Sequence, residues 1–173
     1  ATGSTPVVPG IEGIHGENIH NVLDVHRDMS LIKGENVVVC GGGMSGCEMA
    51  LELAEKGKHV TIVDMLPHLA TDAAAANGMT LMIRLAQTGV VQMPNTTVKR
   101  FVQNGVVVET GEEEKTLIAD SVVHAFGIKS NNALGVELMG KYPGRVQIIG
   151  DANRVDCVFS AVHDGYNAAL SLE

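Results

Sequence analysis

Gly41, Gly43 and Gly46 stand in the spacing G-x-G-x-x-G, and a carboxylate, Asp64, follows about 20 residues later. Those residue types at that spacing suit the holding of a dinucleotide. Glycine at 41 permits a tight turn, glycine at 43 lets backbone approach a pyrophosphate with no Cβ in the way, and glycine at 46 lets a helix pack close to a strand. Gly42, Met44 and Ser45 complete the turn. The unpaired N–H groups of a helix starting there, with its dipole, face phosphate charge. Asp64 can accept hydrogen bonds from an adenosine ribose diol. It also favours NAD(H) over NADP(H), because a 2′-phosphate about 4 Å from a carboxylate is repelled by roughly 4 kcal/mol at an effective dielectric near 20. Met65, Leu66 and Pro67 come next and the nearest ionisable group is His68, so no basic residue offsets that repulsion. The bland alternatives are a glycine turn that binds nothing and a solvated acid at a strand end. Three glycines cost backbone entropy that packing alone rarely needs.

The surrounding pattern supplies the elements that such a turn requires. Val37, Val38, Val39 and Cys40 form an apolar run before it. Cys47, Ala50, Leu51 and Ala54 fall at i, i+3, i+4 and i+7 behind it, on one helical face. Gly57 is placed to end that helix, and residues 59–63 read as a second strand ending in Asp64. Upstream, residues 1–16 are rich in Gly and Pro and read as extended chain, and residues 19–25 as a short strand or connector. Asp28 or Ser30 begins a short turn. Thr71 and Asp72 can cap a helix over residues 73–88, with Met79, Met82, Ile83, Leu85 and Ala86 on its apolar side. Residues 97–102, 106–109 and 116–119 alternate around a turn at Asn104-Gly105 and a charged turn at residues 111–115, which predicts a three-stranded meander.

Residues 121–125 read as a buried strand ending in Ala125-Phe126-Gly127, an echo of Ala1-Thr2-Gly3. Both are strand ends where glycine allows a cofactor close by, and the echo suggests two related nucleotide-binding units, the first only partly present. His124, inside the strand pattern, is expected to be packed or hydrogen-bonded. Residues 146–152 read as a strand running into Gly150-Asp151, with Asp151 placed to accept hydrogen bonds from a ribityl or ribose chain, and a helix is expected over residues 157–172.

The composition, 45% hydrophobic and 18% charged, is that of a folded domain, and the net charge of −8 argues against a nucleic-acid surface. Cys40, Cys47 and Cys157 form no C-x-x-C pair and no zinc spacing, which fits a reducing, cytoplasmic setting. No apolar run reaches the ~18 residues of a membrane span. The chain opens on Ala1 rather than Met, which is read as a piece of a longer protein.

Taken in order, Ala-Thr-Gly-Ser-x-Pro, Gly-Gly-Gly-Met-Ser-Gly-Cys-Glu, Ala-Phe-Gly and Ile-Ile-Gly-Asp-Ala resemble the two-dinucleotide-binding flavoproteins of the pyridine nucleotide-disulfide oxidoreductase superfamily. The resemblance implies an α/β fold: a Rossmann-like, three-layer dinucleotide-binding domain with a parallel sheet and a three-stranded antiparallel β-meander. It implies residues 1–27 as an FAD-domain segment and connector, 28–132 as an inserted NAD(H)-binding domain, and 133–173 as the returning FAD-domain segment. The lack of a cysteine pair and the run Val60-Thr61-Ile62-Val63-Asp64-Met65 look most like NADH:flavin oxidoreductases of the 2,4-dienoyl-CoA reductase and old yellow enzyme type. Their remaining part is a TIM barrel with FMN and an iron–sulfur cluster.

Carried over residue by residue, Gly41, Gly42, Gly43, Met44, Ser45 and Gly46 meet the NAD pyrophosphate and Asp64, with Met65 beside it, the adenosine ribose. Glu48 lies toward the nicotinamide ribose, and Ala125, Phe126 and Gly127 border the nicotinamide half. Thr2, Gly3, Gly150 and Asp151 touch FAD in the intact protein. The resemblance supplies no catalytic acid or base and no metal ligand in this stretch. Departures from the family pattern are the absence of an FAD glycine fingerprint and of a Pro after Gly127, where Ile128, Lys129, Ser130 and Asn131 stand. The implied function is the NAD(H)-binding portion of a flavin-dependent oxidoreductase, its partner being the remainder of its own chain, with self-association as a further expectation. A non-catalytic module sensing the NADH/NAD ratio and a flavin disulfide reductase with an upstream cysteine pair are the competing readings.

Overall fold

The computed structural model describes residues 2–171, so Ala1 of the first motif and Leu172 of the last helix lie outside the described residues. In chain order the elements are β1 (Ser4–Pro6), β2 (Ile19–Asn21), α1 (Val22–Arg27), β3 (Asn36–Cys40), α2 (Met44–Glu55), β4 (His59–Val63), α3 (Ala75–Gln87) and β5 (Val91–Met93). There follow β6 (Thr96–Val102), β7 (Gly105–Thr110), β8 (Glu113–Ile118), β9 (Ser121–His124), β10 (Ile128–Ser130), α4 (Ala133–Lys141) and α5 (Val158–Leu170). They fall into two compact units, Val8–Phe126 and Ala1–Val7 with Gly127–Glu173.

The larger unit is built on a five-stranded sheet in the order β2-β9-β3-β4-β5, every pair parallel. Its central strands are buried on both faces, which is why Val37, Val38, Val39 and Cys40 run without a polar break. Val37, Val39, Val60, Ile62 and Val123 pack with Val25 of α1, Met49 and Leu53 of α2 and Leu85 of α3. Val38, Cys40, Val63 and Val122 pack instead with Phe101, Val106 and Val108 of the antiparallel sheet β6-β7-β8. Helices, parallel sheet and meander therefore form three layers, the α/β Rossmann-like arrangement expected. The first hairpin turns at Gln103 and Asn104, one residue earlier than expected, and Gly105 pairs with Val102 at φ +147°. A Cβ there would stand 2.0 Å from the Leu117 carbonyl oxygen.

In the smaller unit β1 pairs antiparallel with β10, Ser4 opposite Ser130. α4 and α5 have no buried residue. Along α5, Val158, Phe159, Val162, Tyr166 and Leu170 are all exposed and recur at helical spacing.

Several expectations are corrected. Residues 146–149 form no strand: a strand needs a hydrogen-bonded neighbour, and the described residues supply none beside them. Gly150–Ala152 is a 3₁₀ turn. Residues 22–27 are helical, started by the Asn21 side chain accepting the Leu23 N–H. Among the described side chains of α3, Leu81 and Leu85 are buried and Met82 partly buried, whereas Met79, Ile83 and Ala86 are exposed. That helix carries apolar residues on two stripes, so spacing alone could not choose between them. Apart from these corrections, the compact units divide at 7/8 and 126/127, and the domain bounds at 27/28 and 132/133 stay an expectation drawn from the resemblance. Ile19–Asn21 is the outer strand of the parallel sheet, and Ile128–Ser130 is paired with β1.

Candidate dinucleotide-binding site

β3 delivers the chain to the glycine turn and α2 carries it away, so the turn's geometry follows from how close helix and strand come. Gly41 has φ +108°, and a Cβ on it would stand 2.3 Å from the Ala125 carbonyl oxygen. A Cβ on Gly46 would stand 1.9 Å from the Gly41 carbonyl oxygen, which leaves glycine as the residue that fits. Gly43 is the N-cap of α2 and offers no side chain of its own. After twelve helical residues Gly57, at φ +86°, closes the helix.

Gly42 is the pinned residue of the turn. Its N–H donates to Asp64 Oδ2 at 2.5 Å. Its carbonyl accepts from the Ala70 N–H at 2.7 Å and from the Cys47 thiol at 3.3 Å. Leu69 fills the space where a Gly42 Cβ would stand. Asp64 Oδ1 also accepts the Leu66 N–H at 2.7 Å. The carboxylate thus holds both the turn and its own loop, and each oxygen keeps a further lone pair for a diol.

The start of α2 is not bare. Asp72 Oδ1 accepts the Met44 N–H at 2.7 Å, so the carboxylate expected to cap α3 caps α2 instead. α3 begins after Ala74 with no side-chain cap. Ser45 and Glu48 are exposed on α2, and Met65 is exposed just past Asp64. Glu48 and Met44 border a groove of about 480 Å³ shared with Ala73, Asn77 and Arg84.

Beside the turn, the Ala125 N–H donates to the Cys40 carbonyl at 2.7 Å. The half-buried Phe126 ring stacks on His124 at 5.8 Å between centroids. His124 is 5% exposed, its Nδ1 has no partner among the described residues, and burial holds its pKa below 6.5. Burial pushes the Cys47 thiol up to about 11, and that of Cys40 higher still, so neither is a nucleophile.

In the smaller unit, Gly127 is exposed at φ +86°. The Thr2 and Gly3 carbonyls accept from Asn131 Nδ2 and N at 3.3 and 2.9 Å. The Gly150 N–H donates to Asp164 Oδ2 at 3.1 Å. Asp151 accepts from Ser4 Oγ at 3.5 Å and from the Asp156 N–H at 3.4 Å. No group of three His, Cys, Asp or Glu among the described residues could hold a metal ion. No helix among them is long and apolar enough to cross a membrane.

A sequence profile of the pyridine nucleotide-disulphide oxidoreductase family matches residues 1–153. The chain belongs to that family. It is 36% identical over 179 aligned residues to an NADH oxidase of Thermoanaerobacter brockii, covering 99% of this chain and 27% of the relative. It is 32% identical over 175 residues to a cinnamate reductase of Clostridium sporogenes, covering 99% of this chain and 26% of that one. A solved 2-naphthoyl-CoA reductase in complex with 2-naphthoyl-CoA superposes with a TM-score of 0.87 at 31% identity, over 100% of this chain and 26% of that one. The chain therefore spans little more than a quarter of the length of these relatives.

Pyridine nucleotide-disulphide oxidoreductases use NAD(P)H and FAD, and this member carries their redox nucleotide-binding role. Two of its features escaped the sequence. Asp72 reaches a residue 28 positions away, and local spacing pointed it at the nearer helix. Gly42 falls between the fingerprint glycines, and its need for hydrogen at Cα comes from Leu69, a tertiary neighbour with no sequence signature.

Proposed function

We propose that this chain is the NAD(H)-binding portion of a flavin-dependent oxidoreductase, resembling the NADH:flavin oxidoreductases of the 2,4-dienoyl-CoA reductase type. The observation that carries the reading is the pairing of the glycine turn with Asp64, whose carboxylate is locked to the Gly42 amide at the carboxyl ends of β3 and β4. Ligands of open parallel sheets bind at such carboxyl ends, where strand order changes direction, here between β9 and β3. The residues fit the group: Gly41, Gly42 and Gly43 bring backbone without side chains up to the helix start, and the α2 dipole favours a diphosphate there. Asp64 receives the adenosine ribose diol and repels a 2′-phosphate, so NADH is the preferred nucleotide.

When bound, NADH supplies hydride and FAD accepts it. The chain's own residues bind and orient. Gly41 to Gly46 fix the pyrophosphate, Asp64 fixes the adenosine end, and Ala125 and Phe126 border the nicotinamide end. Gly3, at φ +58° with open space where a Cβ would stand, fits the edge of an FAD site together with Thr2, Gly150 and Asp151. No side chain in the stretch is assigned a proton-transfer role. The cinnamate and 2-naphthoyl-CoA reductases, each aligned over nearly the whole chain, support the subfamily. Calorimetric titration of the chain with NADH and with NADPH tests the reading. Tighter binding of NADH is expected, and equal or tighter binding of NADPH overturns the preference.

A further inference from the structure

The anion seat at the start of α2 is already taken by a side chain. Asp72 Oδ1 accepts the Met44 N–H at 2.7 Å, and Asp72 Oδ2 lies 3.0 Å from where a Cβ on Gly43 would stand. We infer that Asp72 is a latch: its carboxylate occupies the position of the dinucleotide's pyrophosphate, so that nucleotide entry and the closed position of residues 65–74 exclude one another. The inference rests on the dinucleotide reading above and adds a regulatory device to that site.

The physical case has three parts. Met44 is the first residue of a twelve-residue helix, whose dipole stabilises one anion at that end. A diphosphate is held by those same amides, and a carboxylate within contact distance of it repels it. The two anions compete for one N–H, and Asp72 wins only while no nucleotide is present. The loop that carries Asp72 is also held on the turn by a separate bond, from the Ala70 N–H to the Gly42 carbonyl at 2.7 Å. Ala70, buried with Leu69 in the core, sits at φ +53°, a conformation that residues with a Cβ rarely adopt, so the closed loop holds local backbone strain.

A latch of this kind weakens apparent affinity by the fraction of molecules that are open. Asp72→Ala is therefore expected to bind ADP-ribose about fivefold more tightly than the unmodified chain, the factor corresponding to the loss of one ordinary helix cap. Asp72→Asn, which keeps the cap's shape without its charge, falls between the two. A second readout follows the loop directly. The chain has no Trp, so His68→Trp places a single reporter on the loop's exposed surface. Its emission should change as ADP-ribose is added, and in the Asp72→Ala background it should already resemble the liganded state. ADP-ribose binding of equal strength in the unmodified chain and both Asp72 variants, with His68→Trp emission insensitive to ligand, overturns the latch and leaves the dinucleotide reading standing. No binding by any of the three overturns the dinucleotide reading and the latch together.

Discussion

The Gly42 amide and the Asp64 carboxylate are hydrogen-bonded at 2.5 Å across 22 residues of sequence. Asp64 therefore builds the glycine turn besides its proposed role toward the nucleotide. Asp64→Ala should cost about 2 kcal/mol in urea denaturation, because the Gly42 N–H loses its charged partner in a buried position. Asp64→Asn keeps an acceptor for that amide and loses the charge. It should retain most of the stability while narrowing the preference for NADH over NADPH in calorimetry.

Gly46→Ala tests the helix–strand contact. The new methyl meets the Gly41 carbonyl oxygen, a backbone atom that cannot step aside without moving β3. A loss of about 3 kcal/mol is expected by chemical denaturation, at the severe end of overpacking. Ala substituted at Gly57 meets open space, and its cost should come from the positive φ alone.

His124 sets a pH dependence. Its folded pKa is depressed by burial, against which Asp24 pulls upward and His15 and His20 push further down. The unfolded chain then binds a proton more readily than the folded one. Stability from this group is complete above about pH 6.5 and falls as pH drops from there through the lower folded pKa. Thermal melts across that range should show the decline in the unmodified chain. His124→Phe, which also preserves the stacking partner of Phe126, should flatten it.

The three thiols should separate by reactivity. The Ser160 hydroxyl and the first amides of α5 hold Cys157 below its usual range, and it is exposed, whereas Cys40 and Cys47 are buried and shifted upward. Mass spectrometry after brief alkylation should find the label on Cys157. Cys157→Ser should leave the folded chain unlabelled until denaturant exposes the other two.

The legible parts were those governed by local period. Val37 to Cys40, the Cys47-to-Ala54 face and the two meander turns each announce an element through a few neighbouring residues, and all of these elements are present. Shorter or longer-ranged features were not legible. α1 is six residues long and owes its start to Asn21, a single side chain with many other uses. Residues 146–149 carry a strand's composition, but composition cannot supply a partner strand. Asp72 shows the same limit at the site: its type and spacing suited a cap, and only the folded chain decides which helix is capped.

The pairing of β1 with β10 has a bearing on how the protein is made. Ser4 leaves the ribosome well before its partner Ser130, which emerges only after 126 further residues, at roughly 5–20 residues per second a wait of about 6–25 seconds. During that time Ser4 to Pro6 have no partner strand to hide their backbone. The larger unit, whose strands all lie between Val8 and Phe126, can complete its sheets within the same interval. Nascent chains halted just before and just after residue 130 has emerged should thus differ in one respect, the protection of the Ser4 to Pro6 backbone from hydrogen exchange.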